Sequence, residues 1–167
     1  MATGLTDLDG VQAAVAEGAD LVHVADPALI AAIRAAHPEL GISVTAGSAS
    51  AADSAAFLIC ALPEVDSALA AGVDPARILV DLGPGPVFAR RLTDLIAAGW
   101  PVLVSDPALS GQAGQDPAGA QAVIAIAAWL GARVFRTRHV RATRRVLTMV
   151  AAIRGDIPPA NATRGLA

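Results

Sequence analysis

A short apolar run that ends in an aspartate and leads through a turn into a helix recurs along this chain. The clearest copy lies in the stretch Ile78 to Pro86, where three apolar residues precede Asp81 and a Gly-Pro-Gly-Pro turn follows Leu82. A run without polar alternation indicates a strand buried on both faces, as in a parallel sheet covered by helices. The pattern therefore predicts an α/β fold with Asp81 at the carboxyl end of its strand, where such folds place their binding residues.

The alternation of strands and helices leaves few architectures open. Apolar runs predict six strands, at 18–26, 41–47, 57–62, 78–83, 99–107 and 131–140. The segments between and after them predict helices at 27–37, 49–56, 63–72, 87–98, 117–130 and 142–153, with a further helix at 11–18. These crossovers imply parallel strands in right-handed units. Because a complete eight-stranded barrel takes at least about 200 residues, the 167 residues predict either an open doubly wound sheet or a shortened, incomplete TIM-type (β/α) barrel.

The two ends of the chain differ from its centre. Residues 1–10 are mostly polar, and they predict a frayed end or a helix start that is capped by Thr6 or Asp7. Residues 155–167 contain glycines and two adjacent prolines. We therefore expect one domain at 1–154, followed by a flexible tail at 155–167.

The charges and the aromatic content exclude several classes of function. All twelve cationic residues are arginine, so neither a P-loop lysine nor a Schiff-base lysine is available. Aromatic residues make up 3% of the chain, which argues against a nucleic-acid surface built on base stacking. The apolar run 120–132 is shorter than the ~20 residues of a membrane span. With no secretory leader in view and a single cysteine, Cys60, we expect a cytoplasmic protein with a buried, unreactive thiol.

Asp26, Asp81 and Asp106 each follow an apolar run, and the carboxyl ends of parallel strands meet at one edge of a sheet. Asp26 and Asp106 precede prolines, which favours helix capping. For Asp81 a site role and a structural role are equally supported. Together with His23 and His139, the three carboxylates offer a metal-binding alternative, although no spacing such as HxxxH supports it. The turn at Gly83 either admits a ligand to the backbone or is simply rigid, and its prolines favour the second interpretation.

Arg136 and Arg138 lie on the last predicted strand, where the alternation of side chains places them on one face. On a central face they would hold a phosphate or carboxylate through paired N–H donors. An arginine inside a strand needs a partner, which favours a site role for Arg136. The other arginines nearby, Arg141, Arg144 and Arg145, are expected on a solvated helix face.

Four places in the chain carry a resemblance to a known family. They are GADLVHV at 18–24, ISV at 42–44, ILVDLGPG at 78–85 followed by GWPVLVS at 99–105, and GARVFRTRHV at 131–140. In these segments the chain resembles the dihydropteroate synthases, the pterin-binding (β/α)8 barrels of folate biosynthesis. The resemblance implies a TIM-type barrel that has lost its first strand, and also one central strand–helix unit near residues 62–66.

The resemblance also implies which residues would form the site. The family's aspartate that hydrogen-bonds the pterin ring matches Asp81, and the glycine after it matches Gly83. The family's arginine that faces the pterin and the pyrophosphate matches Arg136. Further family positions carry other residues here, namely His23, Thr45 and Arg138, together with Cys60 near the family's central asparagine and Leu109 in place of its lysine. We therefore expect a ligand site at Asp81, Gly83, Arg136 and Arg138.

The family's reaction displaces pyrophosphate from a pterin-CH2 group by an aromatic amine, so the leaving group needs anion stabilisation and the pterin needs carboxylate and amide partners. With most of those groups replaced, the sequence predicts a degenerate relative that is weakly active or inactive alone. Its expected partners are a pterin or another small anionic ligand and a second copy or another protein, with no cofactor. The alternatives are a transferase completed by a dimer mate or partner subunit, and a metal-dependent enzyme that uses strand-end aspartates.

Overall fold

The structure, a computed structural model, describes residues 1–46, 55–83, 88–106 and 117–158. Along these ranges the strands are β1 Leu21–His23, β2 Gly41–Thr45, β3 Phe57–Ala61, β4 Ile78–Asp81, β5 Val102–Ser105 and β6 Val134–Arg136. The helices are α1 Leu8–Ala16, α2 Pro27–Ala36, α3 Val65–Ala70, α4 Phe88–Ala97, α5 Pro117–Trp129 and α6 Val140–Arg154. Short 3-10 turns occupy Leu62–Glu64 and Pro75–Arg77.

The order of the strands decides between the two predicted architectures. All neighbouring strands pair in parallel, and their order across the sheet is their order along the chain. A doubly wound sheet reverses this order at a switch point, whereas a sheet that always adds the next strand on the same side curls into a barrel. The prediction of a shortened TIM-type (β/α) barrel with six strands is confirmed.

The two outer strands of the sheet both reach Ala2, which bridges β1 and the residue after β6. The Ala2 N–H donates to the Leu21 carbonyl, and the Ala2 carbonyl accepts from the His23 N–H, each at 2.9 Å. On the other side the Met1 carbonyl accepts from the Thr137 N–H at 3.1 Å. Met1 and Ala2 take the place of a strand, because their backbone pairing satisfies N–H and C=O groups at the open edges of β1 and β6. Of the two alternatives predicted for residues 1–10, the frayed end is therefore wrong, and the helix start capped by Asp7 is the one that the structure shows.

Side chains along the strands alternate between two environments. The outward set packs against the helices in three apolar clusters, and it includes Val22, Ile42, Cys60, Val80, Val104 and Phe135. The inward set fills the barrel, with Ile59, Leu79 and Leu103 buried among partly buried apolar neighbours. Both faces of the strands are thus covered, as the uniformly apolar runs predict. At the carboxyl ends the inward positions become polar, and this change positions the candidate site.

Aspartates fix where two helices begin. Asp7 caps α1 by accepting from the Gly10 N–H at 2.8 Å, and Asp26 caps α2 by accepting from the Ala28 N–H at 2.9 Å. Because Asp7 is the cap, α1 begins at Leu8 and not at the predicted residue 11. The capping role expected for Asp26 is the one that the structure shows.

Several element boundaries differ from the prediction. The outer strands β1 and β6 are much shorter than the predicted segments 18–26 and 131–140. After Arg136 the chain turns, and the Thr137 hydroxyl accepts from the His139 N–H at 2.9 Å as α6 begins. Most of the predicted helix at 49–56, residues 84–87 and 107–116, and the predicted tail from residue 159 onward lie outside the described residues. None of the described helices is long and apolar enough to cross a membrane.

Candidate functional site

A hydrogen-bonded group joins the carboxyl ends of β4, β5 and β6. Arg136 Nη2 lies 2.8 Å from Asp81 Oδ2, and Arg136 Nε donates to Ser105 Oγ at 3.1 Å. Ser105 Oγ donates in turn to Asp81 Oδ2 at 3.3 Å, and the Gly83 N–H donates to Asp81 Oδ1 at 3.0 Å. The Asp81 carboxylate thus accepts from three groups. The Arg136 and Asp81 side chains are 20% and 19% exposed, so this ion pair is largely shielded from water.

The strand register explains why these side chains meet. Asp81 is paired with Leu103 across β4 and β5, and Ser105 is paired with Arg136 across β5 and β6. Residues that are paired in this way point to the same face, and Leu103 lies inside the barrel. Sequence reasoning singled out Asp81 and Arg136 but missed Ser105. Its signal was present, since Ser105 ends the apolar run VLVS just as Asp81 ends ILVD.

A second polar group lies on β1 and β2, at the same end of the barrel. His23 Nε2 is 3.3 Å from Thr45 Oγ1, and His23 Nδ1 is 3.5 Å from Ser43 Oγ. Ser43 is fully buried, and its hydroxyl also lies 3.0 Å from the Met1 sulfur inside the barrel. We call the two groups together the mouth of the barrel, formed by His23, Ser43, Thr45, Asp81, Ser105 and Arg136.

The electrostatics of the mouth are close to balanced. Burial lowers the pKa of His23 below its ordinary value of 6.5, and the nearby Arg136 cation lowers this pKa further. A hydrogen bond to the Ser43 backbone and the charge of Asp81 act in the opposite direction. The imidazole is therefore neutral at pH 7, while Asp81 and Arg136 neutralise each other. Among the described residues, Arg136 Nη1 has no hydrogen-bond partner, so one edge of the guanidinium is open to an acceptor.

The other strand-end aspartates do not join this group. Asp26 is an exposed cap of α2. Asp106 is 1% exposed, and the Thr137 hydroxyl donates to it at 3.4 Å on the outward side of the sheet. No three His, Cys, Asp or Glu side chains within the described ranges are grouped so as to hold a metal ion. The metal-dependent alternative required these carboxylates to converge, and the structure does not bring them together.

Three further predicted residues have different surroundings. Gly83 adopts φ +64°, a left-handed conformation that suits glycine and brings its N–H onto Asp81. Arg138 is exposed and lies beyond the end of β6, so it does not share a strand face with Arg136 as predicted. Cys60 is fully buried on the helix-facing side, where burial raises the pKa of its thiol.

The fold and the site together define a class of protein. Parallel (β/α) barrels carry their functional residues at the carboxyl ends of the strands, and this chain places a carboxylate and an arginine there. Comparison with known proteins finds that the chain is similar to proteins of the dihydropteroate synthase family.

Sequence comparison finds proteins named inactive dihydropteroate synthase 2. Those from Mycobacterium bovis and Mycobacterium tuberculosis are each 41% identical over 117 residues, and the one from Mycobacterium leprae is 39% identical. The match with the first two covers 61% of this chain and 37% of each relative, so the chain spans little more than a third of their length. No family model matches the chain.

Structure comparison agrees with the sequence relatives. A solved structure from Mycobacterium tuberculosis has a TM-score of 0.73 and 29% identity, over 96% of this chain and 93% of that one. The dihydropteroate synthase of Yersinia pestis has a TM-score of 0.72 at 20% identity, over 93% of this chain and 92% of that one, which supports the fold alone. The predicted resemblance to the dihydropteroate synthases is confirmed.

Proposed function

We propose that this chain is a non-catalytic member of the folate-synthase lineage, with a barrel mouth that binds a pterin or another small anionic molecule. The observation that carries the proposal is the 2.8 Å ion pair between Asp81 and Arg136. By the resemblance, both side chains would contact the substrate in a working synthase. Here each satisfies the other, so neither is fully available to hold a substrate or to stabilise a leaving group.

The replaced positions support the same conclusion. Where the resemblance calls for acidic residues, His23 and Thr45 contact each other instead. The central asparagine falls near Cys60, which points away from the mouth into the helix layer. A preorganised contact that stabilises a transition state contributes about 2.7–4 kcal/mol, or 10²–10³ in rate. Losing two such contacts would slow the synthase reaction by at least about 10⁴.

The ligand class follows from the groups that remain. Arg136 Nη1 is a donor at the mouth, whereas the Asp81 carboxylate already accepts from Ser105, Gly83 and Arg136. A cationic hydrogen-bond donor that is partly shielded from water favours a carboxylate or phosphate oxygen as its acceptor. A pterin would bind here mainly through its acceptor atoms or through an attached phosphate group.

The test is a calorimetric titration of the whole chain with a pterin and, separately, with inorganic pyrophosphate. We expect saturable binding in the millimolar range, and at least a tenfold loss in Arg136→Gln. Arg90→Gln is the matched control, because Arg90 is 83% exposed on α4 and should bind like the wild type. Absence of heat from both compounds at about 10 mM would remove the ligand-binding proposal.

The second candidate is a synthase that becomes active in an assembly, with a second copy or another subunit supplying the missing groups. The exposed apolar side chains Ile126, Trp129, Met149 and Ile153 favour association of some kind. Complementation of a strain that lacks its folate synthase distinguishes the two functions. Growth that depends on this chain would favour the assembled enzyme, and no growth with any candidate partner would eliminate it.

A further inference from the structure

His23 and Arg136 face each other across the seam between β1 and β6 that Ala2 closes. Ala2 pairs with the residue just before His23 and with the residue just after Arg136. Both side chains point into the barrel, because Leu21 and Val134, two positions earlier on the same strands, do so. The mouth therefore holds an imidazole near the guanidinium on which the proposed anion site depends, and the Arg136 charge acts on the His23 ring.

The hydrogen bonds of His23 indicate which ring nitrogen carries the proton. The Ser43 hydroxyl has the Val22 carbonyl, at 3.2 Å, and the Met1 sulfur, at 3.0 Å, as acceptors. Its oxygen is thus left to accept from His23 Nδ1, at 3.5 Å. The other nitrogen, Nε2, then accepts from the Thr45 hydroxyl at 3.3 Å. The neutral imidazole thus occupies the hydroxyl hydrogen of Thr45.

We infer that protonation of His23 converts the mouth from a weak anion site into a stronger one. A second proton on the ring makes Nε2 a donor to the Thr45 oxygen, so the hydroxyl hydrogen of Thr45 is released for another acceptor. The same proton adds a positive charge near Arg136, whose own charge is neutralised by Asp81. A small anion at the mouth thereby gains a hydroxyl donor and a net positive charge together. The inference rests on the proposed function, because it gives that same site its regulation.

Two charged side chains act on the His23 ring, Arg136 from β6 and Asp81 from β4. The neighbouring strand β2 presents hydroxyls to it. On the seam the Met1 ammonium is directed at a carbonyl of β6, and beyond β1 the Asp26 carboxylate is directed at the start of α2. Within the described part of the chain, the ion pair at the mouth is therefore the charged neighbour that a proton on His23 meets.

Protonation and anion binding must strengthen each other. Burial and the Arg136 cation both lower the pKa of His23 from its ordinary value of 6.5, so the ring takes up its proton only in mildly acidic solution. An anion bound near both cations relieves their repulsion and raises this pKa. By linkage, the proton increases the affinity for the anion by the same factor as the anion increases the affinity for the proton.

The test is a calorimetric titration of the whole chain with sulfate, whose own charge does not change in the range of pH that is used. Between about pH 8 and about pH 5, we expect the affinity for sulfate to rise at least about fivefold more in the wild type than in His23→Gln. His37→Gln is the matched control, because His37 ends α2, away from the mouth, and it should keep the full increase. In Thr45→Val, which keeps the charge of the ring but lacks the hydroxyl, the increase should be at least about twofold smaller.

An NMR titration of the wild type gives a readout that needs no variant, since saturating sulfate should raise the pKa of His23. Equal pH dependence in the wild type and in His23→Gln, or a pKa of His23 that sulfate does not move, would overturn the inference and leave the proposed anion site standing. Absence of sulfate binding at every pH would overturn both. A full wild-type increase in Thr45→Val would refute the release of the hydroxyl.

Discussion

The Asp81–Arg136 pair can be measured as a coupling energy. In Arg136→Met the Asp81 carboxylate, 19% exposed, keeps the Gly83 and Ser105 donors but loses its cation. Removing one member of a fully buried pair costs about 3–5 kcal/mol, and a hydrogen bond to a charged group contributes about 1.5–3 kcal/mol. Because about a fifth of each side chain is exposed, we expect Arg136→Met to cost about 2–3 kcal/mol and Asp81→Asn about 1–2 kcal/mol.

The assay is urea unfolding of the wild type, both single variants and the double variant D81N/R136M at pH 7. We expect a coupling energy of about 1–2 kcal/mol, so the double variant should be more stable than the sum of the single losses predicts. The exposed pair Arg90–Asp94 provides the control, because its atoms are 3.9 Å apart and its side chains are 83% and 71% exposed. Its coupling should be below about 0.5 kcal/mol.

A coupling at Asp81–Arg136 no larger than that of the exposed pair would refute the reasoning. It would mean that the two groups are independently solvated, and that both remain available to a substrate. The proposal that Asp81 and Arg136 satisfy each other in a non-catalytic mouth would then lose its main support.

Three further predictions test other parts of the molecule. Burial lowers the pKa of His23, so near pH 6.5 the unfolded chain binds a proton at this residue more readily than the folded chain does. The unfolding free energy of the wild type should therefore fall relative to that of His23→Gln as the pH decreases through 6.5, by up to about 1.4 kcal/mol per pH unit. Gly41→Ala should cost about 1–3 kcal/mol in urea unfolding, since its Cβ would lie 2.7 Å from the Leu21 side chain and 3.2 Å from the Asp20 carbonyl, whereas Gly119→Ala should be neutral or stabilising. Cys60 is fully buried, so its reaction with a thiol reagent should follow the rate of unfolding, and rapid labelling of the native protein would contradict its placement.

The architecture could be predicted because its signals are local. Each strand–turn–helix unit shows its apolar run and its turn residues within a few positions, and parallel crossovers follow from their alternation. Asp81 and Arg136 were found for the same reason, since each stands out within an apolar strand. Which charged residues contact each other depends on how the strand–turn–helix units pack together in the barrel.

What the sequence did not reveal depends on contacts between distant parts of the chain. Ala2 closes the sheet by pairing with residues 22 and 137, and nothing within residues 1–10 signals those partners. The contact between His23 and Thr45 depends on the register of β1 and β2, in which His23 lies beside Ser43. Asp106 follows Ser105 directly, yet the two side chains fall on opposite faces, because the strand alternates with a period of two.

The retention of both Asp81 and Arg136 has a physical explanation that does not require a substrate. Substituting only one of them leaves a partly buried charge without its partner. A chain that keeps both residues is therefore more stable than a chain that has lost one of them. A ligand must therefore be recognised by the donor that the ion pair does not use, which is Arg136 Nη1. One charge-assisted hydrogen bond contributes about 1.5–3 kcal/mol, while a dissociation constant of 1 mM corresponds to about 4.1 kcal/mol. The mouth should accordingly bind small anions at millimolar rather than micromolar concentration, which is the affinity expected of a site whose strongest groups already hold each other.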